Sequence, residues 1–482
     1  VLGNPPFEVR AVITSKWLLP VPAERKGNAQ EWFDSGNIRT CQYDGVRWNN
    51  LAPLDEKILD RMCDAETVFM DCLARLEWKH AISYATRKRW YLQHLRFWDD
   101  YLTRNNINLF LSAFIPHEPP DVLIYCLCRA RGIPTLFFHT TLVQDISFSA
   151  STWEDPAPRL RERYEELLRI FSGKTKPEDI PLEPLFEARY KSLIPHKAER
   201  PGVENVRRMS ELDRIKELFW TKPLSFLRNG LAYLSPNGIR KIQELLQRQR
   251  IIRERNAFYI THAITPSLDQ PFVYFPLHFQ PEASTTPLAG RFTEQILVAQ
   301  MLNAYLPDDV LLYVKEHPRE SGWTKRSVQD YRDLLAMKKV RLISRDVDTF
   351  ALREKCVAVA TCSGSAGFEA LFRGKPVLLF GSRFYQYANG VFKIRTVEDC
   401  QKAIIAIFEN GVAPSLIDTR IFMKAIEDTG IRSIMHPLHR QLTNLTEETL
   451  IQNMTKAILD ELDRMQPEIT NVPQTQPYIP IS

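Results

Sequence analysis

Three stretches decide the fold. Pro271–Ser284 reads PFVYFPLHFQPEAS, Leu311–Pro318 reads LLYVKEHP, and Thr361–Gly381 reads TCSGSAGFEALFRGKPVLLFG. Each is an apolar, β-rich run that ends in polar, loop-forming residues, as strands of a parallel α/β sheet do. In an open α/β sheet, ligands bind just beyond the carboxyl ends of the strands. The three stretches therefore describe one pocket, and their His, Ser, Gly and Glu residues suit an anionic, sugar-like ligand.

In the third stretch a strand over 356–361 runs into Ser363-Gly364-Ser365, and a helix is predicted from about Ala366. A helix start offers unpaired backbone N–H groups and a positive dipole end, a site for phosphate or carboxylate. Gly364 and Gly367 let the backbone approach a ligand, and Glu369, one turn in, can accept from a ribose hydroxyl. An ordinary Ser cap on a packed helix is the alternative. No Walker loop is present, because no GK[ST] follows the glycines.

In the second stretch Pro318 stops the strand and biases His317 to extended geometry. His317 can donate to phosphate oxygens and Lys315 adds charge nearby; a purely structural strand-end His is the alternative. After the first stretch, His278, Gln280, Glu282 and Ser284 can line the cleft, with Thr285 and Thr286 beside them, or form a plain capped loop.

Upstream lies a βαβ unit: a strand over 108–114, a helix over 120–131 opened by Pro119-Pro120 and closed by Gly132, and a strand over 133–138. Pro116-His117-Glu118 and His139-Thr140-Thr141 follow these two strands, with Asp145 just beyond. His117, Glu118, His139 and Asp145 are the acids and bases available to the cleft. No HExxH, nucleotide-sugar DxD or GxSxG pattern stands out, so no metal site and no serine elbow are expected.

The chain thus divides into a first α/β domain over 1–150, a helical insertion over 151–256, a second α/β domain over 257–430 and a final helix with an extended tail over 431–482. Further strands are predicted at 8–14, 257–261, 340–344 and 376–380. Further helices are predicted at 55–78, 84–104, 291–305, 325–336, 397–409 and 446–465. The helix at 237–255 carries Arg240, Lys241, Arg248, Arg250, Arg253 and Arg255 against Glu244 and Glu254. It reads as a solvated face or as a peripheral contact with an anionic membrane.

At 482 residues the chain exceeds one core, and 44% hydrophobic with 25% charged residues is globular composition. A net charge of +5 admits an anionic substrate but gives no nucleic-acid signature. The eight cysteines are scattered and read as reduced core thiols, which fits the cytoplasm. No run is long and apolar enough to cross a membrane. The chain starts without Met and without a signal peptide, which admits an excised module with partner domains elsewhere.

PLHFQPEAS, VKEHP and CSGSAGFEALFRGKPVLLFG together resemble the capsule polysaccharide biosynthesis proteins, which include bacterial β-Kdo transferases that use CMP-Kdo. The resemblance is strongest over 270–385 and weaker over 107–145. It implies a GT-B-like fold, two Rossmann-like domains facing a cleft, with the acceptor on the first and the nucleotide-sugar on the second. It implies that His317 and Pro318 form the His-Pro motif that meets the nucleotide phosphate, with Ser363 and Ser365 binding it too. The family's acidic loop corresponds to the segment after His139-Thr140-Thr141, where the nearest acid is Asp145; retaining and inverting outcomes both stay open. The partners implied are a nucleotide-sugar donor, a glycan or glycolipid acceptor and other assembly proteins. No cofactor is implied, since the CMP-sugar is a substrate. Two other readings remain: a UDP-GlcNAc 2-epimerase-like enzyme, and a catalytically inactive glycan-binding or nucleotide-binding module.

Overall fold

The computed structural model describes residues 8–14, 30–78, 81–143, 145–194, 236–280, 282–318, 320, 326–434 and 443–472. The strands in chain order are β1 (Ala11–Thr14), β2 (Glu31–Asp34), β3 (Phe110–Ser112), β4 (Thr135–Thr140), β5 (Ile146–Ala150), β6 (Phe272–Pro276), β7 (Leu311–Lys315), β8 (Val340–Ile343), β9 (Ala358–Thr361), β10 (Val377–Leu379), β11 (Val391–Lys393) and β12 (Ile431–Arg432).

The second unit is a six-stranded, wholly parallel sheet ordered β11-β10-β9-β6-β7-β8. Counted within the unit this is 3-2-1-4-5-6 read from β8, the Rossmann order, with its switch point between β6 and β9. Both faces are covered, which is why the strands read as unbroken apolar runs. Phe272, Tyr274, Tyr313, Val359 and Leu379 pack with Tyr164, Leu167, Phe186, Tyr190 and Phe422 from the helices Pro158–Ile170, Pro184–Leu193 and Leu416–Thr429. Val273, Phe275, Leu312, Val314 and Ala360 pack with Val298, Leu302, Tyr331, Leu334 and Ala403. The described helices after 156, expected as an insertion between the domains, thus form a layer of this unit's core.

The first unit is a mixed sheet ordered β12-β5-β4-β3. β3 and β4 are parallel and flank the helix Pro119–Ala130; β4, β5 and β12 then run antiparallel. The helix ends where Gly132 takes φ +70°, as its left-handed closing residue. Leu136 and Phe138, on one face of β4, are covered by Met454, Ile458 and Leu462 of the C-terminal helix Glu447–Thr470. Phe137, on the other face, meets Tyr125 and Trp153. The chain end therefore returns to the first sheet.

Two expectations are corrected. Residues 257–261 continue the helix Pro236–His262 and form no strand. Its buried residues Arg255 and Tyr259 are four apart, on one face, and Tyr259 donates to the Ile343 carbonyl at 2.6 Å. Arg255, counted above with the outward basic face, is fully buried; the side chains of Arg240 and Lys241 lie outside the described residues, as does most of the expected tail. Elements not anticipated include the strands β2, β5, β11 and β12 and the helices Thr349–Lys355 and Leu416–Thr429.

Candidate functional site

The switch point of the parallel sheet is occupied by His278. Its imidazole Nε2 accepts from the backbone N–H groups of Cys362 (3.2 Å) and Ser363 (3.3 Å) and faces Thr361 Oγ1 at 3.0 Å. An Nε2 that accepts from two amides carries no proton, so the proton sits on Nδ1. Burial, with Arg326, His317 and Arg383 close by, pulls the His278 pKa down to about 3. The ring is neutral. The N–H groups just before the helix Ser365–Leu371 thus meet a side chain of the same chain. Gly364 is needed by that ring: a Cβ there would lie 2.9 Å from His278 Cε1 and from Thr361 Oγ1. At Gly367 it would lie 2.7 Å from the Tyr385 hydroxyl. The two glycines make room for protein side chains, a constraint the sequence reading assigned to a ligand.

The His278 main chain is fastened as firmly. Its N–H donates to Gln295 Oε1 at 2.7 Å, and its carbonyl accepts from Arg326 Nη2 at 2.8 Å. Arg326 pairs with the fully buried Glu320 at 3.2 Å, whose carbonyl accepts from Arg255 Nη2 at 2.5 Å.

The other candidates of this unit fall around that centre. His317 is half-buried beside His278, its ring centroid 5.8 Å from that of Phe279, and Pro318 is exposed. Ser363 is buried and donates to the Ser284 carbonyl; Ser365 opens the helix, half-buried. Gln280 donates to the Thr293 carbonyl, and the Glu282 carbonyl accepts from Thr285 and Thr286 N–H at 3.0 and 2.9 Å. Ser284 Oγ lies 3.5 Å from Glu282 Oε2. Two residues have other engagements. Lys315 is 5% exposed and gives its amine to the Val347 carbonyl, with burial lowering its pKa against Asp348 and Asp346. Glu369 is ion-paired with the buried Arg353.

The first unit meets this loop from the other side. Arg75 donates to the Thr286 carbonyl. Beside it, His117 Nδ1 donates to the Ile115 carbonyl at 2.6 Å, and Glu118 pairs with Arg39 at 3.0 Å. Burial, and then Arg75, lower the His117 pKa. Asp121, which the sequence reading passed over, sits in the first turn of the helix Pro119–Ala130. Burial and the neighbouring Glu118 push its pKa up to about 7, against Arg39 and Arg75. The available signal was an acid placed at a helix start directly after a strand end.

His139 is corrected. It lies inside β4 and not in a loop after it, 5% exposed, with Nε2 donating to the Pro156 carbonyl at 2.5 Å. Burial and Arg383 lower its pKa to about 4. Thr141–Val143 and Asp145 lie between β4 and β5, where Asp145 takes φ +63° and is 5% exposed. This stretch is held by Arg189 Nη2 on the Leu142 carbonyl at 2.9 Å.

Residues 283–403 match the capsule polysaccharide biosynthesis protein family. The capsule-synthesis match takes in Lys315–Pro318 and Ser363–Glu369 and stops short of His278. No curated protein matches the chain. Among solved structures, a beta Kdo 2,7 transferase, KpsC of Thermosulfurimonas dismutans, is similar at 10% identity over 77% of this chain and 97% of that one, TM-score 0.28. A KpsC beta Kdo 2,4 transferase from the same organism is similar at 15% identity over 65% and 85%, TM-score 0.28. The UDP-GlcNAc 2-epimerase of Methanocaldococcus jannaschii is similar at 10% identity over 76% and 95%, TM-score 0.26. At such identities and scores these likenesses bear on neither substrate nor mechanism.

Proposed function

We propose that this protein is a glycosyltransferase of surface polysaccharide synthesis. It would move an acidic sugar, Kdo or a relative, from a CMP-sugar to a glycan or glycolipid acceptor. The observation that carries the reading is the meeting of His278, His317 and the Ser363–Ser365 helix start at the sheet's switch point, with the last two inside the capsule-synthesis match. In the transfer, the acceptor O–H adds to the anomeric carbon, the bond to the CMP phosphate breaks with its electron pair leaving on CMP, and the acceptor proton goes to a base of the first unit. His317, Arg326 and the helix start supply positive charge where the departing phosphate gathers negative charge. Asp121, Asp145, Glu118, His117 and His139 are the bases available, and Asp145 or Glu118 the carboxylates for a double displacement. The reading includes no cofactor and no metal, so transfer should survive EDTA. It sets the protein at the inner face of the membrane, where the basic helix Pro236–His262 would meet anionic lipid; no helix among the described residues is long and apolar enough to cross a membrane.

The test is a thermal-shift panel of CMP, UDP, GDP and dTDP, since a ligand that binds the native state raises its melting temperature. CMP alone should do so, and His317→Ala should weaken CMP by about 1–3 kcal/mol, the worth of a hydrogen bond to a charged group. Stabilisation by UDP with conversion of UDP-GlcNAc in the absence of acceptor would replace the reading by an epimerase. CMP binding without release of sugar from any donor would leave a binding module.

A further inference from the structure

Four buried polar atoms at the seam between the two units have no hydrogen-bond partner: Arg75 Nη1, His139 Nδ1, Trp153 Nε1 and Arg383 Nε. Three of the four residues neighbour one loop, residues 286–288. Arg75 reaches the Thr286 carbonyl, and two residues on Leu288 packs in the same cluster as Trp153. The Leu288 carbonyl accepts from Ser382 N–H at 2.8 Å, which sets the neighbouring Arg383. Arg383 lies near enough to His139 and His278 for its charge to act on both rings. Trp153 is 9% exposed and its ring packs tilted on Tyr125, centroids 4.2 Å apart; His139 is 5% exposed.

Buried donors without partners are costly, and such groups in a native fold call for an explanation. The set is selective. Guanidinium and indole nitrogens only donate, so Arg75, Trp153 and Arg383 want an acceptor, and the two arginines favour an anion. His139 differs: its Nε2 donates to Pro156, so Nδ1 holds a free lone pair that accepts from a hydroxyl. Donors for an anion beside an acceptor for a hydroxyl describe one end of a sugar acid.

We propose that this seam is the subsite for the carboxylate of an acidic sugar. Trp153 and Arg383 donate to the carboxylate and His139 Nδ1 accepts from a sugar hydroxyl. The inference rests on the transferase reading and deepens it, by giving the acid group a place apart from the nucleotide phosphate at the helix start.

Isothermal titration of CMP and CMP-Kdo, with saturation-transfer NMR of free Kdo, tests it on the full chain. Trp153→Phe keeps the ring on Tyr125 and removes the N–H; Arg383→Gln removes the charge. Thermal midpoints matching the parent control for folding. Each variant should bind CMP-Kdo about ten- to a hundredfold more weakly and bind CMP within twofold of the parent. Equal losses for CMP and CMP-Kdo would overturn the subsite by making the seam a phosphate site, and unchanged CMP-Kdo affinity would overturn it outright. If the parent ignores CMP but binds free Kdo, and the variants lose that signal, the transferase reading fails and the subsite stands. If the parent binds neither CMP-Kdo nor Kdo, both fail.

Discussion

His278 shows how a residue can be found by sequence and its task still be missed. A His after a strand end marks the pocket, and that much follows from the alternation of strands and loops. That its ring accepts from the amides of Cys362 and Ser363 depends on two strands 83 to 85 residues apart lying side by side. Arg326, Glu320, Arg383 and Trp153 were illegible for the same reason: they are scattered, and only the folded chain brings them together. Because the Gly364 backbone is extended, with φ −77° and ψ 159°, Gly364→Ala adds no backbone strain; its Cβ presses on the His278 ring and on the Thr361 hydroxyl that faces it. We expect a folded variant that loses CMP affinity at least tenfold by isothermal titration, and parental affinity would show that the ring's seat does not matter to the ligand. Asp121 makes a different prediction. With its pKa near 7 it takes up the acceptor's proton only above that pH. Transfer measured as kcat/KM should then rise with pH through about 7, and Asp121→Asn should cut it by about 100- to 10,000-fold and remove the rise. A rise of the same shape in Asp121→Asn would assign the base elsewhere, with Asp145 next.

Among elements, those with strong local signals were legible to within a few residues: the helix Tyr84–Arg104, the βαβ unit, and β6, β7 and β9 with their loops. The misread run at 257–261 has β-branched and aromatic residues that favour strand locally, yet tertiary packing of Arg255 and Tyr259 keeps it helical. The C-terminal helix was foreseen near its true limits, but not the sheet it covers, since that contact spans more than 300 residues. Its apolar stripe, Leu450, Met454, Ile458 and Leu462, is all buried, and Met454, Ile458 and Leu462 pack against β4. Ile458→Ala should therefore cost about 2–4 kcal/mol in urea unfolding, the usual price of a truncated core side chain. A loss below 0.5 kcal/mol would mean that the helix adds little to the first sheet.

Across the whole molecule, three buried histidines among the described residues couple stability to pH. His94 is held at about 3, His139 at about 4 and His278 at about 3, each chiefly by burial, against 6.5 when free. Between those values the unfolded chain binds a proton that the folded chain does not. The stability each contributes is thus fully present above about 6.5 and lost as pH falls toward the folded value. At pH 5 the loss is about 2 kcal/mol per histidine. Asp121 works the other way: its folded pKa, about 7 against 3.8, makes the folded state the better proton binder between them, so its contribution grows as pH falls. The net pH profile mixes both signs, and a single histidine must be isolated by difference. His94 suits this, because it lies in the aromatic core of the first unit, hydrogen-bonded to Tyr43 at 2.5 Å and far in sequence from the switch-point loops. Urea unfolding of the parent and of His94→Gln at pH 8 and pH 5 gives two stability differences. His94→Gln should be less stable than the parent at pH 8, having lost that contact, yet its own loss between pH 8 and pH 5 should be smaller by about 2 kcal/mol. Equal losses in the two proteins would mean that His94 takes up its proton as readily in the fold as out of it, and that the core around Tyr43 admits water.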